Sequence, residues 1–453
     1  MKFVRCVLPA VGSLIWACGT PGGPPPHDGA VDALNDGNTR TDARTDAQDS
    51  GVSSDVGIDV AHQPDATVGI DVVDTVTVGI DVVDTVTIGI DAVDTRTGVD
   101  SGTVTDTRPP TDTGTTTGTS PVIAGCQILP SNHIFNTPIN TLPVHPNSAA
   151  YLATIGSHHV HLDLGATVDQ TSATFYGIPY NVVHGSTLTW TANYFRSTDT
   201  GLSWDARAEA DCALPTGHTL VSPCTLAAAP NPVFPFPTAP IVEGGIDTNP
   251  TQPYGDHHIL VLDADTCRLW ETYHSYPHTG GGWDIYGEAT FDMHSNALRP
   301  AGWTSADAAG FPMLPLLLRG DEATAGAIHH ALRFTITSSK IRDTYVWPAR
   351  HLTGSTTSTN NPQMGQLFRL RATYAIPASF NTQARAIVVA MQTYGMYIAD
   401  GGSDMYVTGE PYAGWLDATI SQVQTLTTAD FEAVDITAIT SRPGFDVNSG
   451  AVP

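Results

Sequence analysis

Fifteen of the 17 histidines lie between residues 121 and 453, and several are spaced to share a strand face with an acid. In His158-His-Val-His-Leu-Asp-Leu164, strand alternation puts His159, His161 and Asp163 on one face. Two imidazoles and a carboxylate are a ligand set for a divalent metal. The same pattern also fits a polar strand face whose histidines are hydrogen-bonded. Asp256 and His258 share a face where an internal strand begins, and a carboxylate there fixes the imidazole tautomer and raises its basicity. Asp163, Glu243, Asp256, Asp307 and Asp400 supply carboxylates for acid and base work of the glycosidase kind. The candidate catalytic residues are therefore Asp163, Asp256, His258 and Asp307.

Substrate recognition points to one basic stretch in an acidic chain. Residues 319–371 hold Arg319, Arg333, Lys340, Arg342, Arg350, Arg369 and Arg371 against Asp321, Glu322 and Asp343. Arginines on alternating strands bind carboxylate or sulfate groups bidentately, although they also pair with surplus acids on an exposed sheet. His329, His330 and His351 lie in the same stretch. Trp270, Tyr273, Tyr276, Trp283, Tyr286 and Trp303 crowd the neighbourhood of Gly280-Gly-Gly282, as sugar-stacking faces and core packing both require. The candidate substrate-binding residues are His161, His330, Arg333, Arg350, His351, Trp303 and Asp400. No Gly-x-Ser-x-Gly, His-Glu-x-x-His, phosphate-loop or dinucleotide signature occurs in this part of the chain. No cofactor is expected, apart from the divalent ion that His159, His161 and Asp163 could hold.

The elements that must position these groups read mostly as strands. His257–Leu262, a turn over Asp263–Thr266 and Cys267–Tyr273 form a hairpin pattern whose first strand is apolar on both faces and hence internal. Ala331–Thr337 and Gln366–Tyr374 alternate apolar with polar, as half-buried strands do. Helices are expected at Thr382–Tyr394, closing on Gly395, and at Trp415–Leu426. The expected fold is mainly β, an antiparallel sandwich or jelly roll with a few peripheral helices, α+β overall.

Several passages carry a resemblance: Ile241-Val-Glu-Gly-Gly245, Asp256-His-His-Ile-Leu-Val-Leu-Asp263, Trp303-Thr-Ser-Ala-Asp-Ala-Ala-Gly310, Pro348-Ala-Arg-His351 and Tyr394-Gly-Met-Tyr-Ile-Ala-Asp-Gly-Gly-Ser403. Over nearly all of residues 121–453 the chain resembles a group of large secreted proteins of soil bacteria that carries no assigned activity. The resemblance implies a family and lends no function.

The rest of the 453 residues says where the protein works. Lys2 and Arg5, the apolar run Val7–Trp16, and then Ala17 have the order of a bacterial export signal, so residues 1–17 are expected to lie outside the fold. Leu14-Ile-Trp-Ala-Cys18 resembles a lipobox, with Trp16 where a small residue is usual, and makes Cys18 the candidate for lipidation. Residues 18–120 read as a disordered spacer. From Gly19 to Ser120 there are 18 Asp against four Arg and no Phe, Trp, Tyr, Lys or Glu, so little surface is available to offset the entropy of ordering. Ten-residue repeats run through residues 68–97, and their paired Asp residues repel one another. Residues 121–453 form the folded domain. Its four cysteines are an even number in an exported chain and predict two disulfides, Cys212 with Cys224 and Cys126 with Cys267.

A formal charge of −26 argues against a nucleic-acid partner, and no apolar run is long enough to span a bilayer. Contact with a membrane would be through the N-terminal lipid alone, in the cell envelope or outside the cell. Three functions fit: an enzyme that cuts an extracellular polysaccharide by hydrolysis or by lyase-type elimination at a uronate, a glycan-binding or adhesive surface module, and a structural envelope lipoprotein. The density of His, Arg and Asp at strand mouths favours the first.

Overall fold

Ile259-Leu-Val-Leu-Asp263 is apolar at successive positions, so a strand made from it must be covered on both faces. The computed structural model describes residues 120–195, 206–213, 224, 226–228, 231–245 and 256–453. The expected leader, Cys18 and the repeats at 68–97 lie outside the described residues. The strands that frame the site are β1 (His161–Asp163), β2 (Tyr180–Val183), β3 (Ile259–Asp263), β4 (Arg268–Tyr273), β5 (Gly287–Asp292), β6 (Leu332–Ile336), β7 (Leu367–Leu370), β8 (Met396–Gly401), β9 (Tyr406–Thr408) and β10 (Phe431–Ala433).

The expected hairpin forms. β3 pairs antiparallel with β4 from Ile259 opposite Thr272 to Asp263 opposite Arg268, and parallel with β2 on its other edge, in a sheet ordered β5-β4-β3-β2. Every residue of β3 is buried. Leu260 and Leu262 enter the larger core together with Phe334, Ile336 and Ile398, whereas Ile259 and Val261 enter a smaller core with Phe234, Phe236 and Ile285. The two-sided apolar pattern of this strand follows from its place between two cores.

The second sheet is ordered β10-β7-β8-β6-β9-β1. β6 runs parallel to β8 and antiparallel to β9, and β9 runs parallel to β1. A third, five-stranded sheet contains Thr191–Phe195, Leu226–Ala228, Asn231–Phe234, Tyr276–Pro277 and Trp283–Ile285. The molecule is thus mainly β and α+β, with mixed ladders where a purely antiparallel sandwich or jelly roll was expected. Parallel neighbours need a crossover, and the long segment from β6 to β8 supplies one that includes a helix, α1 (Thr382–Thr393). The side chain of Asn381 caps it by accepting from the Ala384 N–H, 2.8 Å away. Its Ala384, Ile387, Val388 and Met391 are buried, and the chain turns out at Gly395, φ 75°. A Cβ at Gly395 would lie 2.5 Å from the Phe368 carbonyl oxygen, so the close return to β7 requires glycine. The second expected helix is shorter, α2 (Asp417–Val423).

β6 and β7 were expected to be half-buried, yet nearly all of both is buried. Their arginines are satisfied internally. Arg369 bonds Glu432 at 2.9 Å and the carbonyls of Ile139 and Leu142 at 2.8 and 2.7 Å, so it does not line a groove. No helix among the described residues is long and apolar enough to cross a membrane.

Both expected disulfides are present, and they fit an oxidising compartment. Cys126–Cys267 spans 141 residues and ties the start of the domain to the β3–β4 turn. By the loop-entropy argument, replacing both cysteines with serine should cost roughly 2–5 kcal/mol of unfolding free energy. Chemical denaturation of the Cys126→Ser/Cys267→Ser protein measures this, and an unchanged midpoint would contradict it.

Candidate functional site

The site is assembled where the start of β3 meets one face of the second sheet. Across that sheet Tyr397, Arg333, Thr408 and Asp163 form one row: Arg333 pairs with Tyr397, Phe334 with Val407 so that Arg333 falls beside Thr408, and Thr408 pairs with Asp163. Arg333 is 4% exposed. It grips Asp307 with two bonds, Nη2 to Oδ1 at 2.9 Å and Nε to Oδ2 at 3.3 Å, and donates from Nη1 to the Thr408 hydroxyl at 2.6 Å. A bidentate pair of this kind fixes both side chains at the centre of the site.

Asp307 is completely buried, and its loop holds it there. The Ser305 hydroxyl donates to the carbonyls of Asp307 and Phe311 at 2.8 and 2.6 Å and accepts from the Asp307 N–H at 2.9 Å. The Ala309 N–H docks on the Ala399 carbonyl, 2.9 Å away, next to Asp400. The loop closes at Gly310, φ 74°, where a Cβ would meet the Trp303 carbonyl oxygen at 2.6 Å. The Trp-Thr-Ser-Ala-Asp-Ala-Ala-Gly run is therefore a device for presenting one buried carboxylate to Arg333. Burial raises the Asp307 carboxyl, and the guanidinium opposes that rise.

His258 directly precedes β3. Its Nδ1 is 2.5 Å from Glu243 Oε2, and its Nε2 is 2.9 Å from the Ala306 carbonyl oxygen, one residue before Asp307. The backbone doubles the link: the Glu243 N–H donates to the His258 carbonyl at 3.1 Å, and the His258 N–H donates to the Glu243 carboxylate at 3.2 Å. Burial alone would push the imidazole down, but the Glu243 carboxylate overcomes it and raises His258 to about 9. Burial would likewise raise Glu243, and the charge on His258 holds it low.

Asp256 is exposed, and its ligand atom, with those of Glu243 and His258, lies in a group all within 4.8 Å of one another. Between them His257 takes φ 46°, a left-handed conformation uncommon outside glycine. The His274 N–H holds the Asp256 carbonyl at 2.7 Å and the Ser275 N–H holds that of His257 at 3.1 Å. Asp256 and His258 were expected on one strand face; they do converge, but through this strained turn, and the strand begins only at Ile259.

Two further acids are shifted upward. Burial and the neighbouring Asp307 raise Asp400, at the end of β8, to about 7, with Arg333 opposing. Burial also raises Glu271 of β4 to about 7, although it accepts from the N–H groups of Met313 and Leu314 at 2.9 and 3.0 Å. The Tyr273 hydroxyl is pushed well up by burial and then by Asp256, Asp400 and Glu243. Glu243, Asp256, His258, Tyr273, Asp307, Arg333 and Asp400 thus share one electrostatic neighbourhood, of which Asp256 is exposed. Residues whose environments push their protonation apart in this way are what acid and base catalysis needs.

Of the candidates, Asp256, His258, Asp307, Arg333 and Asp400 come together, and Asp163 joins the Arg333 row through Thr408. Four others sit elsewhere. His330 is buried between the Glu322 carboxylate, 2.9 Å, and the Ala331 carbonyl, 2.7 Å. Arg350 holds the Val447 carbonyl at 2.8 Å and the Asn448 side chain at 2.9 Å. His351 contacts the Ala308 carbonyl at 3.1 Å, and Trp303 lies under the Arg299 guanidinium at 5.6 Å. Strand alternation gives the face of a side chain, not the loop that lands on it.

His161 stacks on Tyr406 with ring centroids 4.0 Å apart, beside an open hollow of about 450 Å³ lined also by His158, His159, Asp404 and Gln424. The metal expectation moves accordingly. His159 bonds the Gln424 carbonyl at 2.8 Å, and His159, His161 and Asp163 do not form a ligand cluster; among the described residues the group that could hold a metal is Glu243, Asp256 and His258. Glu271 was not anticipated as a site residue, and Tyr273 was anticipated only as one of the crowded aromatics. The available signal was an acid inside the apolar run Leu269-Trp-Glu-Thr-Tyr273, since a buried acid needs a reason. Compared with known proteins, the chain matches no family model, and no curated protein or solved structure matches it significantly.

Proposed function

We propose that the protein is an exported, lipid-anchored enzyme that hydrolyses an extracellular polysaccharide at this site. The observation that carries the reading is a group of carboxylates around the buried Asp307–Arg333 pair, in which Asp256 is exposed and Asp400 is raised to about 7 by burial and by Asp307. Asp400 is the proton donor to the departing sugar oxygen. Asp256 provides the opposing carboxylate, with the His258–Glu243 pair orienting the water. Elimination at a uronate fits less well. It needs a free base and a free guanidinium, yet His258 is engaged at both ring nitrogens and Arg333 is bound bidentately to Asp307. Two disulfides and the order of the leader support export.

The open hollow beside the His161–Tyr406 stack favours a second reading, a glycan-binding surface without turnover. Incubating the full chain with a panel of neutral and uronic polysaccharides separates the two. New reducing ends without unsaturated-uronate absorbance are the expected result. Absorbance from unsaturated uronates would assign elimination instead, and retention on a polysaccharide with neither signal would leave the binding surface.

A further inference from the structure

We propose that Glu243, Asp256 and His258 form a binding site for one divalent metal ion of the zinc or manganese class. Their ligand atoms, two carboxylate oxygens and one imidazole nitrogen, all lie within 4.8 Å of one another. Tetrahedral ligands held at about 2.0–2.2 Å from an ion lie about 3.4 Å apart, so Glu243 and His258, 2.5 Å apart, must part by about 1 Å, and the atoms that are up to 4.8 Å apart must close by a similar amount. Asp256 is exposed and lies where the chain enters β3.

The imidazole is what sets this group apart from a patch of acids. A backbone carbonyl only accepts, so the 2.9 Å contact to Ala306 places a hydrogen on Nε2, while Nδ1 faces the Glu243 carboxylate and shares a proton with it; an ion bound at Nδ1 takes the place of that proton, which is released to solvent. Metal-bound histidines are held in this way, with the second ring N–H donated to a carbonyl or carboxylate so that tautomer and ring angle are set before the ion arrives. Glu243 is likewise pre-positioned, by its backbone exchange with His258. The strained turn at His257 brings Asp256 into the same cluster, and the His257 ring is stacked on Tyr276 with centroids 4.5 Å apart. Three protein ligands leave a coordination position free on the solvent side, as in sites that act on a bound molecule rather than staple a fold. Nitrogen and oxygen donors together suit zinc, manganese or cobalt better than calcium, which prefers oxygen alone.

The inference goes beyond the hydrolytic reading and is tested without any sugar. The full chain, stripped with a chelator, is titrated by calorimetry with zinc, manganese and calcium chlorides in turn. One saturable site is expected for zinc or manganese, with weaker uptake of calcium. Asp256→Asn should weaken the affinity by at least about 10-fold, with circular dichroism confirming that the metal-free variant folds. His258→Gln should do the same, with circular dichroism confirming that it folds. His158→Ala, in the separate histidine hollow, should leave the affinity unaltered. Absence of saturable uptake, indifference to Asp256→Asn, or loss on His158→Ala would each overturn the assignment. Uptake without glycan cleavage keeps this inference and retires hydrolysis; cleavage without uptake does the reverse.

Discussion

Arg333→Met should lower the free energy of unfolding by about 3–5 kcal/mol, because it leaves the Asp307 carboxylate buried without its guanidinium. Asp307 is wholly enclosed and Arg333 nearly so, which removes the solvent screening that makes surface ion pairs weak. The loss is not a measure of what the pair contributes relative to an apolar core. In the double variant Arg333→Met/Asp307→Leu neither charge needs solvation, and a large part of the loss should return. Denaturant titration of the three proteins gives both numbers. A single-variant loss below about 1 kcal/mol, or a double variant no better than the single, would mean that water reaches the pair and that it is not the centre of a closed site.

Asp400→Asn is the second large effect, and its two readouts move in opposite directions. As the proposed proton donor, Asp400 should account for a 10²–10⁴-fold fall in kcat on a cleaved polysaccharide. Wild-type activity should decline as pH rises through about 7, where Asp400 gives up its proton, and the asparagine variant should lack that limb. Stability shows the converse. The folded carboxyl titrates above its ordinary value, so the stability it contributes is complete below about 4 and is lost as pH rises through about 7. At pH 8 the neutral asparagine avoids that loss, and the variant should be more stable than the parent by roughly 1–2 kcal/mol, allowing for partial exposure. Thermal unfolding at pH 4 and pH 8, beside the rate profile, tests both. A variant of unchanged activity would remove Asp400 from the chemistry, and a variant no more stable at pH 8 than the parent would show that the parent's carboxyl is already well solvated.

Such a gain on removing a residue is the mark of a group retained for something other than the fold. Glu271 illustrates the contrast. It too is raised to about 7, but it spends its oxygens on the Met313 and Leu314 N–H groups, which anchor the end of the segment carrying Asp307. Its role is to hold backbone in place. Asp400 accepts from its neighbour Gly401 at 2.6 Å and otherwise faces Asp307, Arg333 and Asp256, the charges of the site itself.

What the sequence determined by itself was set by local period and covalent chemistry. The two-sided apolar run of β3, the helix that starts after Asn381 and closes on Gly395, and both disulfide pairings are legible because each depends on neighbouring residues or on a small set of cysteines. That Asp256 and His258 would lie close together was also legible, from a spacing of two, although a turn and not a strand face brings them there. The tertiary structure alone decided which distant groups met them. Asp307 and Arg333 are 26 residues apart and join because a Gly-closed loop lands on a central strand. His330 was removed from the site by Glu322, and Arg350 by Val447 and Asn448, at the far end of the chain. Alternation along a strand tells which way a side chain points, but a buried charge goes to whichever partner the packed loops bring within about 3 Å, since desolvation makes any other outcome too costly, and no single segment encodes that distance.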